Sequence, residues 1–179
     1  MNQDQLQALL TKVQQGALAV PDALHRLRTL PYENLGFASL DHHRALRQGF
    51  PEVIFCEGKT VSQVVAIAKT LLRKNNALLA TRVEPSVARA LLRVSKRAVY
   101  HEAARVVAIA PPKLVRRGAV LIVTAGTADI PVAEEARVTA DIMGSKTDTL
   151  YDVGVAGLHR LLGQQERLHD ARALIVVAG

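Results

Sequence analysis

The chain of 179 residues carries 23 Lys and Arg against 16 Asp and Glu, a net charge of +7, and 49% of its residues are apolar. That share is ample for one or two packed domains. No uncharged apolar run reaches the length of a membrane helix, which excludes a membrane partner of that kind. The single cysteine, Cys56, excludes an internal disulfide framework, and 3% aromatic content without Trp argues against a base-stacking platform for single-stranded nucleic acid.

The polar start, Met1 to Gln5, leads into an amphipathic pattern rather than a signal-peptide core, so a cytoplasmic protein is expected. Leu6, Leu9, Leu10 and Val13 recur at helical spacing, and Gly16 can end the helix they imply. Pro21 opens a second helix with Leu24 and Leu27, stopped before Pro31. Two short helices with one apolar stripe each must pack on something else. Tyr32 to Phe50 shows little periodicity and reads as a long connector. Asp41-His-His-Arg44 within it suggests a metal site, but adjacent histidines on a loop make poor co-ligands, so no metal is expected there.

From Glu52 the pattern becomes regular. Val53-Ile-Phe-Cys56 reads as a short buried strand, and Thr60 with Gln63 forms a capping box for a helix carrying Val61, Val64, Val65, Ala68, Leu71 and Leu72. Asn75-Asn76 ends it, Ala77 to Thr81 gives a strand, and Pro85 starts a helix with Ala88, Leu91 and Leu92. Ala98 to Tyr100 and Val106 to Ala110 add two strands. The sum is a small βαβαββ module over 51–112, preceded by helices and connector over 1–50. Pro111-Pro112 and the basic run to Arg117 form its exit linker. Cys56, at a strand end with no partner histidine placed by the sequence, reads as a structural thiol.

Between Arg82 and Arg117 nine basic residues face two acidic ones, Glu84 and Glu102. No nucleic-acid-binding signature accompanies them, so they read as solvated faces or as a field that steers an anionic substrate. Nucleic acid is not expected as a partner.

The last part, 113–179, is the most informative. Ala119 to Val123 is a continuous apolar run that suits a strand buried on both faces. A small-residue loop, Thr124-Ala-Gly-Thr-Ala-Asp129, follows, and Pro131 then sits in the first turn of a helix. Strand, small-residue loop and helix present backbone N–H groups to an anion at the carboxyl end of a parallel sheet. Asp129 either caps that helix or meets a ligand directly. Glu134 and Glu135 read as first-turn partners of the helix dipole.

After Gly144 a polar segment leads to Thr149-Leu-Tyr-Asp-Val-Gly-Val-Ala-Gly157, where Gly154 and Gly157 would let backbone approach a ligand closely. Leu158-His-Arg-Leu-Leu162 enters a helix, and Ala173 to Ala178 reads as a third buried strand. The expected fold is α/β, its second part an incomplete three-layer parallel sheet of Rossmann or flavodoxin type. Its uncovered apolar faces predict a continuation beyond Gly179 or cover from another copy, hence a homo-oligomer.

Thr124 to Ala136, Tyr151-Asp-Val-Gly-Val-Ala-Gly-Leu-His-Arg160 and Val53-Ile-Phe-Cys-Glu-Gly-Lys59 resemble, in the same order, the LarB family of nickel pincer cofactor biosynthesis. These are pyridinium-3,5-biscarboxylic acid mononucleotide synthases. The last part also resembles, more distantly, N5-carboxyaminoimidazole ribonucleotide mutase, with Asp129-Ile-Pro131 and Leu158-His-Arg160 in the places of its substrate loop and Ala-His-Arg segment.

The resemblance implies a carboxylase acting on nicotinic acid adenine dinucleotide. It adds CO2 or bicarbonate to the pyridinium C5, hydrolyses the phosphoanhydride and releases AMP. In the family a cysteine thiolate adds to the ring and makes it an enamine able to attack CO2. Carried onto this chain, the N–H groups of Ala125, Gly126, Thr127 and Ala128 and the Arg160 side chain face the phosphates. Asp129 and Asp152 take ribose hydroxyls or Mg2+, and His159 serves as general acid or base. Against those roles stands the plainer reading of His159 and Arg160 as a solvated helix face.

The family's reacting cysteine and an accompanying acidic residue are expected beyond Val-Ala-Gly179, so this chain is expected to be a binding scaffold with little or no turnover. Two alternatives stand beside the synthase: a non-catalytic nucleotide-binding or assembly piece, and a mutase. Against the mutase stand the long N-terminal part and Gly126 and Ala128, where hydroxyl side chains are expected in its loop.

Overall fold

The computed structural model describes residues 3–28, 32–42 and 44–179. The chain opens with α1 (Gln3–Gln14) and α2 (Val20–Arg28), ended and started near the predicted Gly16 and Pro21. Gly16 takes a φ of 72°, the left-handed conformation that lets the chain turn off the helix. The predicted stop before Pro31 lies outside the described residues, as does His43 of the metal suggestion.

The connector expected over 32–50 is instead ordered. β1 (Tyr32–Asn34) and β2 (Ser39–Asp41) pair antiparallel, and α3 (Arg44–Gln48) follows. The Asn34 side chain accepts the Gly36 N–H at 2.7 Å, and Gly36 sits at a φ of 85°, so a local turn closes the hairpin. Strands of three residues are too short to show alternation, which is why periodicity missed them.

The predicted βαβαββ module is present as β3 (Ile54–Phe55), α4 (Val61–Lys74), β4 (Leu78–Thr81), α5 (Pro85–Val94), β5 (Val99–His101) and β6 (Val106–Ile109). The sheet order is β3-β4-β6-β5, parallel between β3 and β4 and antiparallel elsewhere. The capping box is formed: the Gln63 N–H donates to Thr60 Oγ1 at 3.3 Å, and the Thr60 N–H to Gln63 Oε1 at 2.9 Å. Asn75 ends α4, its N–H and its side-chain amide both donating to the Leu71 carbonyl. The buried stripe of α4 is Val64, Ile67, Ala68, Thr70 and Leu71. Val61, expected inside, is exposed: it is the first residue of α4 and lies outside the helix's buried stripe.

Every residue of β4 and β6 is buried. On one face Leu78, Ala80, Val107 and Ile109 pack against α4 and α5. On the other, Leu79, Val106 and Ala108 pack against Phe50 and against Val138 and Ile142 of the long helix that follows.

That helix, α6 (Ile130–Ile142), leaves β7 (Arg117–Thr124) through a single 3-10 turn, Thr127–Asp129, with Pro131 in its first turn as expected. β7 lies at the centre of a three-stranded parallel sheet, β8-β7-β9, with β8 (Ser145–Leu150) and β9 (Ala173–Val177) on its flanks. α7 (Leu158–Leu162) and α8 (Gln165–Asp170) lie between β8 and β9 in sequence. Leu121 and Val123 face Leu161 and Leu168 of those helices, and α6 covers the opposite face. The second part is therefore the three-layer α/β arrangement that the sequence predicts.

Two details differ. The polar segment after Gly144 is strand β8, whose Lys146 and Asp148 point to solvent while its threonines are half-buried. It is an edge strand with polar residues on both sides of the alternation. β9 is not buried: Leu174 is 48% and Val176 65% exposed. The register sets both beside Leu121 and Val123, but α7 and α8 reach over β7 and β8 and stop short of β9. Among the described residues no helix is long and apolar enough to cross a membrane.

Candidate functional site

In a parallel sheet the carboxyl ends of the strands carry the loops that meet ligands. Here those ends belong to β7, β8 and β9. Apolar burial fixes the strands, and the chain must then turn through backbone whose polar groups need partners. Thr124, fully buried at the end of β7, supplies two of them. Its carbonyl accepts the Val153 N–H at 3.0 Å, and its hydroxyl accepts the Asp152 N–H at 3.0 Å. The Gly154 N–H then donates to the Ala125 carbonyl at 2.8 Å, so the loops after β7 and β8 are laced together along their backbones.

Each of the two glycines makes room for a close neighbour within the protein. A Cβ on Gly154 would lie 2.7 Å from the Ala125 carbonyl oxygen, so this glycine admits the neighbouring loop. A Cβ on Gly157 would lie 2.5 Å from Nε of Arg160, so this one makes room for a guanidinium. Arg160 donates from Nη1 to Asp152 Oδ2 at 2.5 Å, and both side chains remain more than a third exposed. Asp152 holds a φ of 57°, in the left-handed region that costs a non-glycine residue about 1 kcal/mol or more.

Asp129 does not cap α6 with its side chain. Its buried carboxylate accepts the Gly126 N–H at 2.8 Å and the Gly179 N–H at 3.3 Å, which ties the loop after β7 to the chain after β9. The Gly126 amide is thereby occupied. Thr127 and Ala128 are exposed, and their amides open a helical turn, where no intrahelical acceptor exists. Ala125, half-buried, gives its N–H to the Val177 carbonyl at 3.1 Å.

Loop 125–129, Asp152, Gly154, Gly157 and Arg160 thus form one rim. His159 is exposed on α7 beside Arg160 and makes no side-chain hydrogen bond among the described residues. Cys56 directly follows β3 of the other sheet and is buried, with its thiol pKa pushed up to about 11 by burial. His42 is buried too, its Nε2 3.1 Å from Glu33 Oε2 and its pKa pushed down first by burial and then by the Lys74 charge. Among the described residues no group of three His, Cys, Asp or Glu side chains is placed to hold a metal.

Glu134 and Glu135 lie past the first turn of α6 and are ion-pair partners rather than dipole partners. Glu135 lies 2.9 Å from Nε of Arg82, which follows β4, an ion-pair contact whose angle is not that of a hydrogen bond. Glu134 accepts from Nε and Nη2 of Arg137 at 2.8 Å each, and from the Tyr151 hydroxyl. The Arg137 hydrogen bond holds the Glu134 carboxyl below its usual range, against the opposing effect of burial. Burial and the Glu134 acceptor push the Tyr151 phenol up to about 12. Thr124, Tyr151 and Arg137 escaped the sequence reading. The i,i+3 spacing of Glu134 and Arg137 was a usable signal; the reach of Tyr151 to α6 was not.

Two clefts of this half lie away from the rim. One, of about 190 Å³, is lined by Ala119, Leu121, Asp148 and Arg167; another, of about 550 Å³, runs between α6 and β9 past Val132, Ala136, Met143 and Ile175.

Residues 32–111 match the family described as the LarB/PurE-like N-terminal domain. The chain is also 33% identical, over 185 residues, to an uncharacterized protein of Methanocaldococcus jannaschii, an alignment that covers 97% of this chain and 72% of that protein. The matched domain runs from β1 through the end of β6, so the hairpin and the first sheet belong to it together. With its hairpin and βαβαββ sheet in that domain and a parallel three-layer sheet after it, the chain belongs to the LarB/PurE-like family.

Proposed function

We propose that this chain binds nicotinic acid adenine dinucleotide and serves the carboxylation of its pyridinium ring, with hydrolysis of the phosphoanhydride and release of AMP. The observation that carries the proposal is the rim at the ends of β7 and β8, where exposed amides and a guanidinium converge beside a parallel sheet. A pyrophosphate offers only acceptors, so it suits the Thr127 and Ala128 amides and the outer N–H groups of Arg160. Asp152, already bonded to Arg160, is near enough in the same rim to take a ribose hydroxyl. Glycines at 154 and 157 let the neighbouring loop and the guanidinium pack closely enough to build that rim.

Carboxylation forms a C–C bond from the pyridinium C5 to CO2, and the C5 proton must then leave to a base. His159, exposed next to Arg160, is the group we assign to that proton. The ring must first gain electron density, which in the LarB family is the work of a thiolate. Cys56, buried and protonated far above neutral pH, does not supply one. That observation favours the second reading, in which residues 1–179 recognise the dinucleotide and turn it over slowly or not at all. Mg2+ has no place in the proposal: both Asp129 oxygens accept backbone N–H groups, and Asp152 is paired with Arg160.

Incubation with the dinucleotide and bicarbonate, read by mass spectrometry, tests the chemistry, and calorimetry tests the binding. Binding that is lost in Arg160→Ala, with little AMP formed, is the expected result. Wild-type protein that takes up no heat with the dinucleotide, while remaining folded, would overturn the proposal. Rapid turnover that disappears in Cys56→Ala would overturn the assignment of Cys56 as structural.

A further inference from the structure

Behind the rim lies a chain of hydrogen bonds that the binding reading leaves unused. It begins at Arg137 on α6, passes through Glu134 in its twofold pair, and reaches the Tyr151 hydroxyl. Tyr151 is joined by one peptide bond to Asp152, the left-handed residue that pairs with Arg160. The near end of the chain is well fixed. Glu134 is largely buried, α6 is clamped to the first sheet through Val138 and Ile142, and Arg137 neutralises the carboxylate. A phenol donating to an ionised carboxylate is a charge-assisted bond, roughly twice as strong as a neutral one.

Asp152 needs such support. Left-handed backbone without glycine persists only where its surroundings over-determine it. Its N–H is held by Thr124 and its carboxylate by Arg160, but the Arg160 side chain is itself 41% exposed. Beside the Val153 N–H bond to the Thr124 carbonyl, which fixes the residue after it, a further constraint comes from the residue before it. Tyr151 supplies that constraint, with its ring half-buried and its hydroxyl anchored on α6.

We infer that Glu134 is a positioning residue: through the Tyr151 hydroxyl it holds Asp152 in its left-handed conformation and so aims the Asp152–Arg160 pair at the anionic ligand of the rim. The inference rests on the proposed dinucleotide site for its ligand, but its mechanical part does not. The raised phenol and the lowered carboxyl agree with the same assignment, Glu134 ionised and accepting, Tyr151 neutral and donating.

The test uses the whole chain and three variants: Tyr151→Phe, Glu134→Gln and Glu134→Ala. Tyr151→Phe keeps the ring and removes only the hydroxyl, so the fold should survive. Amide hydrogen exchange of residues 152–157 should rise in Tyr151→Phe and in Glu134→Ala, with the first sheet unchanged. The late phenol ionisation, followed by near-ultraviolet absorbance, should vanish in Tyr151→Phe and move to lower pH in Glu134→Ala. Dinucleotide binding should weaken roughly tenfold in both, as for the loss of one strong hydrogen bond. Glu134→Gln keeps an oxygen for the phenol and should recover most of the exchange protection. Unchanged exchange at 152–157 in folded Tyr151→Phe overturns the inference, as does equal exchange in Glu134→Gln and Glu134→Ala. If exchange responds as stated but wild-type protein binds no dinucleotide, the positioning role stands and the proposed ligand falls.

Discussion

The two sheets of this molecule are made from apolar runs of the same kind and meet very different surroundings. β6, Val-Val-Ala-Ile, is buried along its whole length, because α4 and α5 cover one face and α6 covers the other. β9, Ala-Leu-Ile-Val-Val, has β7 on one side, no strand on the other among the described residues, and helices on only part of its surface. Its Ile175, on the α6 side, is half-buried, whereas Leu174 and Val176, on the α7–α8 side, are open. Sequence composition selects the strand; the layers above and below decide whether it is core. The candidate-site loops all spring from the less covered sheet, and that sheet is joined to the other through the packing of α6.

One truncation in each sheet breaks this comparison most sharply. Leu79 has no exposed surface and fills the space between the first sheet and α6. Leu79→Ala should lose about 2–5 kcal/mol of stability, the usual loss for a buried leucine that leaves a cavity. Leu174→Ala, half in solvent, should change stability by less than about 0.5 kcal/mol. Urea unfolding of the whole chain measures both. Similar losses in the two variants would show that β9 is covered in solution by something outside this chain.

A smaller effect separates the two glycines of the rim. Gly154→Ala drives a Cβ to 2.7 Å from a backbone carbonyl, which cannot swing away, so the laced loops must part. We expect a loss of about 1–3 kcal/mol, the range for overpacking. At Gly157 the obstacle is the Arg160 guanidinium, the far end of a flexible side chain. Gly157→Ala should therefore leave thermal unfolding nearly unchanged and instead break the Asp152–Arg160 pair, weakening dinucleotide binding. The reverse pattern, a stable Gly154→Ala and an unstable Gly157→Ala, would mean that the loops are not joined as described.

The elements that the sequence displayed well are those whose signals are local. The capping box at Thr60 and Gln63, Asn75 at the end of α4, Pro85 and Pro131 in first turns, and the buried runs of β4, β6 and β7 are each decided within a few neighbouring residues. The hairpin at 32–41 was hidden because three-residue strands carry no period. β8 was hidden because its alternation is between charged residues and threonines. In the rim, the loop, Asp152 and Arg160 were marked singly by small residues and by family resemblance, whereas the pairing of Asp152 with Arg160 was not. The bond from the Gly179 N–H to Asp129, and the reach of Tyr151 to Glu134, depend on contacts 50 and 17 residues apart. No local pattern encodes such pairs.

The starts of α4 and α6 carry the comparison down to single hydrogen bonds. Thr60 spends its hydroxyl on the Gln63 N–H of its own helix. Asp129, in the equivalent place before α6, spends its carboxylate backward on Gly126 and across on Gly179, while the Ile130 N–H donates to the Thr127 carbonyl of the 3-10 turn and Pro131 has no N–H to satisfy. Thr60→Ala should therefore cost about 1 kcal/mol, the ordinary value of a helix cap, and leave the rim untouched. Replacing Thr60 with Ser, which restores the acceptor, should recover most of it. Thermal unfolding reads the stability, and amide exchange at residues 125–129 reads the rim. A response at 125–129 to Thr60→Ala would show that the first sheet transmits the state of α4 through α6 to the loop, a stronger link between the two halves than the shared packing of Val138 and Ile142 requires.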